Sequence, residues 1–205
     1  SWRWLGEASR VAFADRGYYV ADPDFVRVPA QQMLSPDYLQ QRANAIAATK
    51  AAAAEIKPGS FSQNMALGRA VELPSTSHLV IVDAAGNVVS MTTSIENAFG
   101  STLMANGYLL NNELTDFSFE PEQNGQAVAN RVEGGKRPRS SMAPTIVLKN
   151  GAPYLAVGSP GGSRIIGYVA KTLVAHLDWG MDIQQAIDLP NMLNRGSAYE
   201  LEENT

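Results

Sequence analysis

A cluster of three hydroxyl residues, Ser75-Thr76-Ser77, is the first place in this sequence where residue types alone point to chemistry. It lies directly before an apolar run, His78–Asp83, that is typical of a strand. A threonine hydroxyl can attack the carbonyl carbon of the preceding residue, and hydrolysis of the ester leaves threonine as a new N-terminus. The free amine, with an ordinary pKa of about 7.7–8.0, can then act as base for the same hydroxyl. The cluster is therefore either a self-cleaving nucleophile or a small polar loop that enters a strand.

A glycine-rich run, residues 158–163, is the second candidate for a reactive site. Its spacing matches neither of the two common phosphate-binding patterns, GxxxxGK[ST] and GxGxxG. Adjacent glycines such as Gly161 and Gly162 allow two backbone N–H groups to point at a developing negative oxygen. The run is therefore either an oxyanion hole or only a tight turn from a strand to a helix, and the residues leave both interpretations open.

Several charged and hydroxyl residues could hold the two ends of an amino acid. Carboxylates can bind an ammonium group, whereas hydroxyl and basic groups can bind a carboxylate. Taken singly, each such residue is more often part of a solvated face or a turn. The candidates are Glu96, Glu113, Asp116, and the pair Ser140 and Ser141, which follows the basic run 136–139.

The composition excludes other kinds of chemistry. The 205 residues contain no cysteine and only two histidines, which excludes disulfides, thiolate zinc sites and cysteine nucleophiles. The net charge of −4 gives no basic excess for neutralising phosphates, and no apolar run reaches about 18 residues. We therefore expect no metal, no organic cofactor, no nucleic-acid partner and no membrane span in this chain.

Helices and antiparallel hairpins are the elements expected to position these residues. Apolar periodicity predicts helices over 1–17, 36–56, about 165–177 and 183–188. Two strand pairs are predicted, 78–83 with 88–94 and 145–149 with 153–157, the second across Asn150-Gly151. Residues 57–74 are expected to be exposed and poorly ordered, and residues 118–138 to form a polar loop. The pattern is typical of an α+β fold with a mostly antiparallel sheet.

Five blocks, in order along the chain, together resemble one family, the γ-glutamyltranspeptidases of the N-terminal-nucleophile hydrolase group. The blocks are TSHLVIVD (76–83), IENAFG (95–100), LLNNELTDFS (109–118), GKRPRSSMAPTIV (135–147) and GSPGGSR (158–164). The resemblance covers nearly the whole chain and implies part of an αββα sandwich. It also implies that residues 1–75 are the C-terminal end of the large-subunit region, and that residues 76–205 are a small-subunit catalytic region truncated at its C-terminus.

The resemblance further implies a role for each matching residue. Thr76 would be the nucleophile after cleavage between Ser75 and Thr76, and Ser94 would support its amine. The glutamyl ammonium would be held by three carboxylates, Glu96, Glu113 and Asp116. The glutamyl carboxylate would be held by Ser140 and Ser141. The N–H groups of Gly161 and Gly162 would form the oxyanion hole. Thr115 departs from the family pattern, because other members have a second aspartate there.

The activity implied by the resemblance is γ-glutamyl transfer and hydrolysis, with glutathione and related compounds as donors and water, an amino acid or a peptide as acceptor. The resemblance also implies a periplasmic or secreted enzyme that needs the remainder of its large subunit. We therefore expect the 205-residue chain alone to be inactive or weakly active. Two alternatives remain: a glutaryl or cephalosporin acylase, which need not bind an ammonium, and a non-catalytic, unprocessed relative. The three carboxylates favour the γ-glutamyl function.

Overall fold

The structure is a computed structural model that describes residues 2–48, 56–70, 75–196 and 198–203. Within these ranges the α-helices are α1 (Trp2–Tyr19), α2 (Ala30–Met33), α3 (Pro36–Ala48), α4 (Ile165–Leu177) and α5 (Ile183–Asp188). The strands are β1 (Ser77–Val82), β2 (Val88–Thr93), β3 (Met104–Ala105), β4 (Tyr108–Leu109), β5 (Glu122–Gln123), β6 (Gln126–Ala127), β7 (Thr145–Lys149), β8 (Ala152–Val157), β9 (Met192–Asn194) and β10 (Tyr199–Leu201).

Every strand pairs with its neighbour in sequence, and every such pair is antiparallel. In the β1–β2 pair, Ser77 lies opposite Thr93 and Val82 lies opposite Val88. Asp83 fixes the turn between them, because its Oδ1 accepts the N–H groups of Ala85 and Asn87 at 2.9 and 2.8 Å. The predicted α+β class with antiparallel strands is confirmed.

The chain divides into two compact units. The first unit contains residues 1–71, 116–139 and 190–205, and the second contains residues 72–115 and 140–189. This division follows packing and says nothing about where the chain is cut, so the predicted boundary after Ser75 stays a prediction.

The first unit packs around a small apolar cluster. Ala21, Val26 and Ala129 are buried together, and the partly buried Met65 packs against them. In the second unit α4 supplies three of the four buried apolar residues among those described, namely Ile165, Val169 and Ala175. Its Lys171 is buried and donates to the backbone oxygens of Ala186, Ile187 and Leu189 at 3.0, 3.1 and 2.8 Å. These bonds hold the C-terminal end of α5, whose last carbonyls have no partner within the helix.

Residues 57–70 differ from the prediction of an exposed segment. Gly59 is buried, its N–H donates to Asp15 Oδ1 at 2.7 Å, and its carbonyl accepts from the Tyr19 hydroxyl at 2.7 Å. The Ala66 N–H donates to the Ala127 oxygen at 2.9 Å. The prediction was therefore wrong for Gly59, Ala66 and Gly68, which are buried because glycine and alanine allow the backbone to pack closely, whereas five other residues of 57–70 are exposed as predicted. Its remainder, residues 71–74, lies outside the described residues.

Two further predictions need correction. The helix predicted over 36–56 ends at Ala48 among the described residues, Ile56 is not helical, and residues 49–55 lie outside the description. The loop predicted over 118–138 contains the β5–β6 hairpin. Its turn is formed by Asn124 and Gly125, both with positive φ, of 52° and 74°.

Among the described residues, no helix is both long and apolar enough to cross a membrane.

Candidate active site

Two hydroxyl groups meet at the carbonyl oxygen that precedes Thr76. The Thr76 hydroxyl contacts the Ser75 oxygen at 2.5 Å, and the Ser94 hydroxyl donates to the same oxygen at 2.9 Å. This convergence follows from the β1–β2 register. Because Ser77 lies opposite Thr93, the residues just beyond the pair, Thr76 and Ser94, are also brought side by side. The peptide group between Ser75 and Thr76 is therefore polarised at its oxygen and lies next to a potential nucleophile.

The Ser94 hydroxyl is held from both sides. It donates to the Ser75 oxygen and accepts the backbone N–H of Glu96 at 2.8 Å. Glu96 has a φ of 64°, a conformation that costs a non-glycine residue of order 1–3 kcal/mol. Such strain is retained where surrounding contacts impose it. Here the conformation of Glu96 places its N–H on the Ser94 oxygen, and the single Ser94 proton has two acceptors within reach, the Ser75 oxygen and the Glu113 carboxylate.

The Glu96 carboxylate is buried, with a residue exposure of 3%. Its Oε2 accepts from the Asn112 side-chain amide and from the Thr115 hydroxyl, the latter at 2.6 Å. Its Oε1 is buried and has no hydrogen-bond partner among the described residues. Thr115, which departs from the family pattern, therefore helps to hold Glu96 in place.

Glu113 is a second half-buried carboxyl group near Glu96. Burial raises the pKa of Glu113 above its ordinary value, the Ser94 hydroxyl lowers it, and the negative charge of Glu96 raises it further. The Glu113 Oε1 is also buried without a partner among the described residues. Two neighbouring carboxyl groups, each with an unfilled acceptor oxygen, have the chemistry that a positively charged donor requires.

A cavity of about 300 Å³ lies against Thr76. This volume is at the small end of the range for ligand sites in proteins. Its described lining residues all belong to the second unit, namely Ser75, Thr76, Ser77, Thr93, Ser94, Ile95, Asn97 and Ala98.

The predicted oxyanion residues lie in a turn that glycine favours. Gly161 and Gly162 have φ values of 134° and 59°, which side-chain-bearing residues rarely adopt. A short 3₁₀ turn, Gly162–Arg164, then leads into α4. Both glycines belong to the same unit as Thr76, but the described lining of the cavity does not include them. Their role as oxyanion donors stays a prediction.

Ser140, Ser141 and Asp116 are the remaining predicted residues. Ser140 is exposed and its hydroxyl accepts the Met142 N–H at 3.1 Å, whereas Ser141 is buried. Asp116 belongs to the first unit, where its carbonyl accepts from the Asn130 amide at 2.7 Å. The structure therefore brings together Thr76, Ser94, Glu96 and Glu113. The roles of Asp116, Ser140 and Ser141 stay predictions.

Sequence reasoning missed the part played by Asn112. Its side-chain amide bonds Glu96, its Oδ1 accepts the Asn97 N–H at 2.9 Å, and its own N–H donates to the Ile95 oxygen at 3.2 Å. Asn112 thus connects the 95–97 segment to the start of the 3₁₀ turn Glu113–Asp116. Because asparagine is a common turn residue, the sequence indicated a turn at this position. It did not indicate which carboxylate the Asn112 amide contacts.

Comparison with known proteins places the whole chain in one group. A family model described as gamma-glutamyltranspeptidase matches residues 1–205. The glutathione hydrolase proenzyme of Bacillus subtilis (strain 168) is 40% identical over 212 residues, which cover 97% of this chain and 35% of that protein. The chain therefore spans about a third of the length of the curated relatives it matches.

Solved structures give the same picture. The T380A mutant of Helicobacter pylori gamma-glutamyltranspeptidase is 44% identical with a TM-score of 0.50, over 56% of this chain and 66% of that one. The cephalosporin acylase from Bacillus halodurans is 25% identical with a TM-score of 0.78, over 99% of this chain and 34% of that one. These similarities confirm that the fold is the one shared by γ-glutamyltranspeptidases and N-terminal-nucleophile acylases.

Proposed function

Because this chain belongs to the gamma-glutamyltranspeptidase family, we propose that it carries the catalytic centre of an enzyme that cleaves itself between Ser75 and Thr76 and then transfers or hydrolyses γ-glutamyl groups. The observation that supports the proposal most directly is the convergence of the Thr76 and Ser94 hydroxyls on the Ser75 carbonyl oxygen. That arrangement suits an attack on this one peptide bond.

The cleavage step uses groups that already lie in contact. The Thr76 Oγ1 attacks the Ser75 carbonyl carbon, and the negative charge that develops on the Ser75 oxygen is stabilised by the Ser94 hydroxyl. The C–N bond then breaks, and the Thr76 nitrogen receives the proton lost by its hydroxyl. Water hydrolyses the resulting ester, which leaves a carboxylate on Ser75 and a free amine on Thr76.

In the cleaved protein the free Thr76 amine takes up the proton of the Thr76 hydroxyl during attack on a γ-glutamyl carbonyl. The amine product leaves, and a γ-glutamyl ester of Thr76 forms. Water or an acceptor amine then removes the acyl group, so two-step, ping-pong kinetics are expected. In this proposal the N–H groups of Gly161 and Gly162 stabilise the oxyanion in both steps.

The Glu96 and Glu113 carboxyl groups support γ-glutamyl compounds as the substrate class. Glu96 and Glu113 each have a buried acceptor oxygen without a partner among the described residues, and an α-ammonium group is the kind of donor that carboxylate oxygens bind. In this proposal Asp116 also faces the ammonium, while Ser140 and Ser141 hold the α-carboxylate. The rest of the substrate site comes from chain outside residues 1–205, so the 205-residue chain alone is expected to be inactive or weakly active.

A glutaryl or cephalosporin acylase is the second candidate, because the chain is similar to a cephalosporin acylase over 99% of its length. A glutaryl group lacks the α-ammonium, so it would leave the Glu96 and Glu113 oxygens unsatisfied in a closed site, which is costly. Comparing γ-glutamyl and glutaryl anilides as substrates separates the two activities. We expect γ-glutamyl turnover to dominate, and preferential glutaryl turnover would contradict the proposal.

A periplasmic or secreted location stays a prediction from the family resemblance.

A further inference from the structure

The imidazole of His78 occupies the space beside Gly158. His78 is the second residue of β1 and follows Thr76 by two positions, so both lie on the same face of the extended chain. Its Nδ1 lies 2.8 Å from the Thr92 hydroxyl on β2. A β-carbon built on Gly158 would overlap the imidazole ring, and the ring is the nearest neighbour of that position.

Gly158 is where β8 ends and the glycine-rich turn begins. It follows Val157, the last residue of β8, and precedes Gly161 by three positions. Its φ lies outside the left-handed region, unlike those of Gly161 and Gly162, so backbone conformation does not explain a glycine here. The close approach of the His78 ring does explain it, because any side chain at Gly158 would displace either the ring or the turn.

The described contacts of His78 favour a packing role over proton transfer. Its Nε2 is buried and has no partner among the described residues. Its Nδ1 contacts Thr92 and not the Thr76–Ser94 hydrogen-bond network. The other strand of the same hairpin, β2, also contacts the end of β8, because the Ser90 hydroxyl donates to the Val157 oxygen at 3.4 Å. The ring and this bond together join the nucleophile's hairpin to the end of β8.

We propose that His78 is a positioning residue whose ring sets the distance between Thr76 and the turn that carries Gly161 and Gly162. The inference rests on the proposed function, in which those glycine N–H groups stabilise the oxyanion. Such donors act only within about 2.7–3.1 Å of the oxyanion, and a misplacement of about 1 Å can cost on the order of 100-fold in rate. Because the groups assigned to the ammonium and carboxylate are not moved, kcat should fall while KM changes little.

The test is a double-mutant cycle in the whole protein, meaning residues 1–205 with any chain that adjoins them. The variants are His78→Ala, Gly158→Ala and the double variant, each first confirmed as cleaved by intact-mass spectrometry. Gly134→Ala is the matched control, because Gly134 has an ordinary φ and no atom within 4 Å of a β-carbon position. Steady-state kcat and KM with a γ-glutamyl anilide are the readouts.

We expect His78→Ala to restore part of the kcat that Gly158→Ala removes. Gly158→Ala should lower kcat by on the order of 100-fold, and the double variant should recover about 10-fold of that loss, because removing the ring makes room for the new methyl group. Gly134→Ala should match the wild type. Losses that multiply without rescue, or losses confined to KM, would overturn the positioning role while leaving the proposed function intact. A cleaved wild type that turns over neither substrate class would overturn the proposed function itself.

A second pair of variants decides the matter if Gly158→Ala does not fold. His78→Phe keeps a ring of similar size without the Nδ1 bond, whereas His78→Ala removes the ring. The positioning role predicts that the phenylalanine variant retains kcat within about threefold of the wild type and that the alanine variant loses on the order of 10-fold or more. Equal losses in the two variants would contradict it.

Discussion

The Ser94 hydroxyl donates a hydrogen bond to the Ser75 carbonyl oxygen, 2.9 Å away, at the peptide bond that the account identifies as the cleavage site. The same hydroxyl accepts the N–H of Glu96 at 2.8 Å, which leaves its single proton available to the Ser75 oxygen. In the proposed mechanism Ser94 therefore acts before cleavage as well as in the later step implied by the family resemblance. We propose that in the uncleaved chain its hydrogen bond to the Ser75 oxygen stabilises the oxyanion of the cleavage step.

Ser94→Ala should slow self-cleavage by about 100- to 1,000-fold, the usual loss when one oxyanion donor is removed. The cleaved fraction can be followed over time by intact-mass spectrometry of freshly purified whole protein. Ser94→Thr keeps the hydroxyl and is the control, expected to cleave at a rate near that of the wild type. Cleavage of the alanine variant at the wild-type rate would remove Ser94 from the mechanism.

Glu113→Gln should weaken selectivity for γ-glutamyl substrates. Replacing the carboxylate by a neutral amide removes a charge-assisted bond to the ammonium, so KM for a γ-glutamyl anilide should rise by about 10- to 100-fold. Glutaryl anilide has no ammonium, so its kinetics should change far less. Glu122→Gln, at an exposed position on β5, should leave both substrates unaffected. An equal rise in KM for both substrates would show that Glu113 does not bind the ammonium.

The raised pKa of Glu113 should also make the free energy of unfolding fall as pH rises. Burial raises its folded-state pKa above the ordinary value of 4.5, so the folded protein holds this proton more tightly than the unfolded chain. The resulting stability is fully present below the ordinary pKa and is lost as pH rises through the folded-state pKa. The Tm of Glu113→Gln minus that of the wild type should therefore increase from pH 4 towards pH 7, as measured by thermal unfolding. A constant difference would contradict the assigned shift.

Asp22 should show the opposite pH dependence. Hydrogen bonds from the Arg137 side chain and backbone N–H hold its pKa well below the usual range, and its Oδ1 lies 2.7 Å from the guanidinium. Its stabilising effect is present above the ordinary carboxyl pKa and is lost as pH falls through the folded-state value. The wild type should therefore have a higher Tm than Asp22→Asn at pH 6, and the difference in Tm should become smaller below pH 4. A gap that persists unchanged at low pH would exclude this ion pair as its source.

The main strands were predictable because their sequence signals are local and strong. Apolar runs on both sides of Asn150-Gly151 indicated β7 and β8, and both turn residues have the positive φ that this pair favours, 55° and 80°. The same dipeptide occurs at Asn106-Gly107 and Asn124-Gly125 and forms the β3–β4 and β5–β6 turns. Those hairpins were missed because their strands are only two residues long and show no alternation.

The site was only partly predictable for a different reason. The proximity of Thr76 and Ser94 follows from the register of one hairpin, which a strand prediction nearly fixes. The contacts of Glu96 with Asn112 and Thr115 join residues 16 and 19 positions apart through irregular backbone. No periodicity specifies such contacts, and the positive φ of Glu96 goes against the local preference of its residue type. Only the folded structure reveals them.

The most direct test of the account is the intact mass of the whole protein beside a Thr76→Ala variant, with the exposed-residue variant Ser62→Ala as control. Self-cleavage by Thr76 predicts two chains that meet between Ser75 and Thr76 in the wild type and the control, and one uncut chain in Thr76→Ala. A wild type that stays uncut, or a Thr76→Ala variant cut at the same bond, would contradict it. The first of these results would instead indicate a non-catalytic relative that keeps the fold.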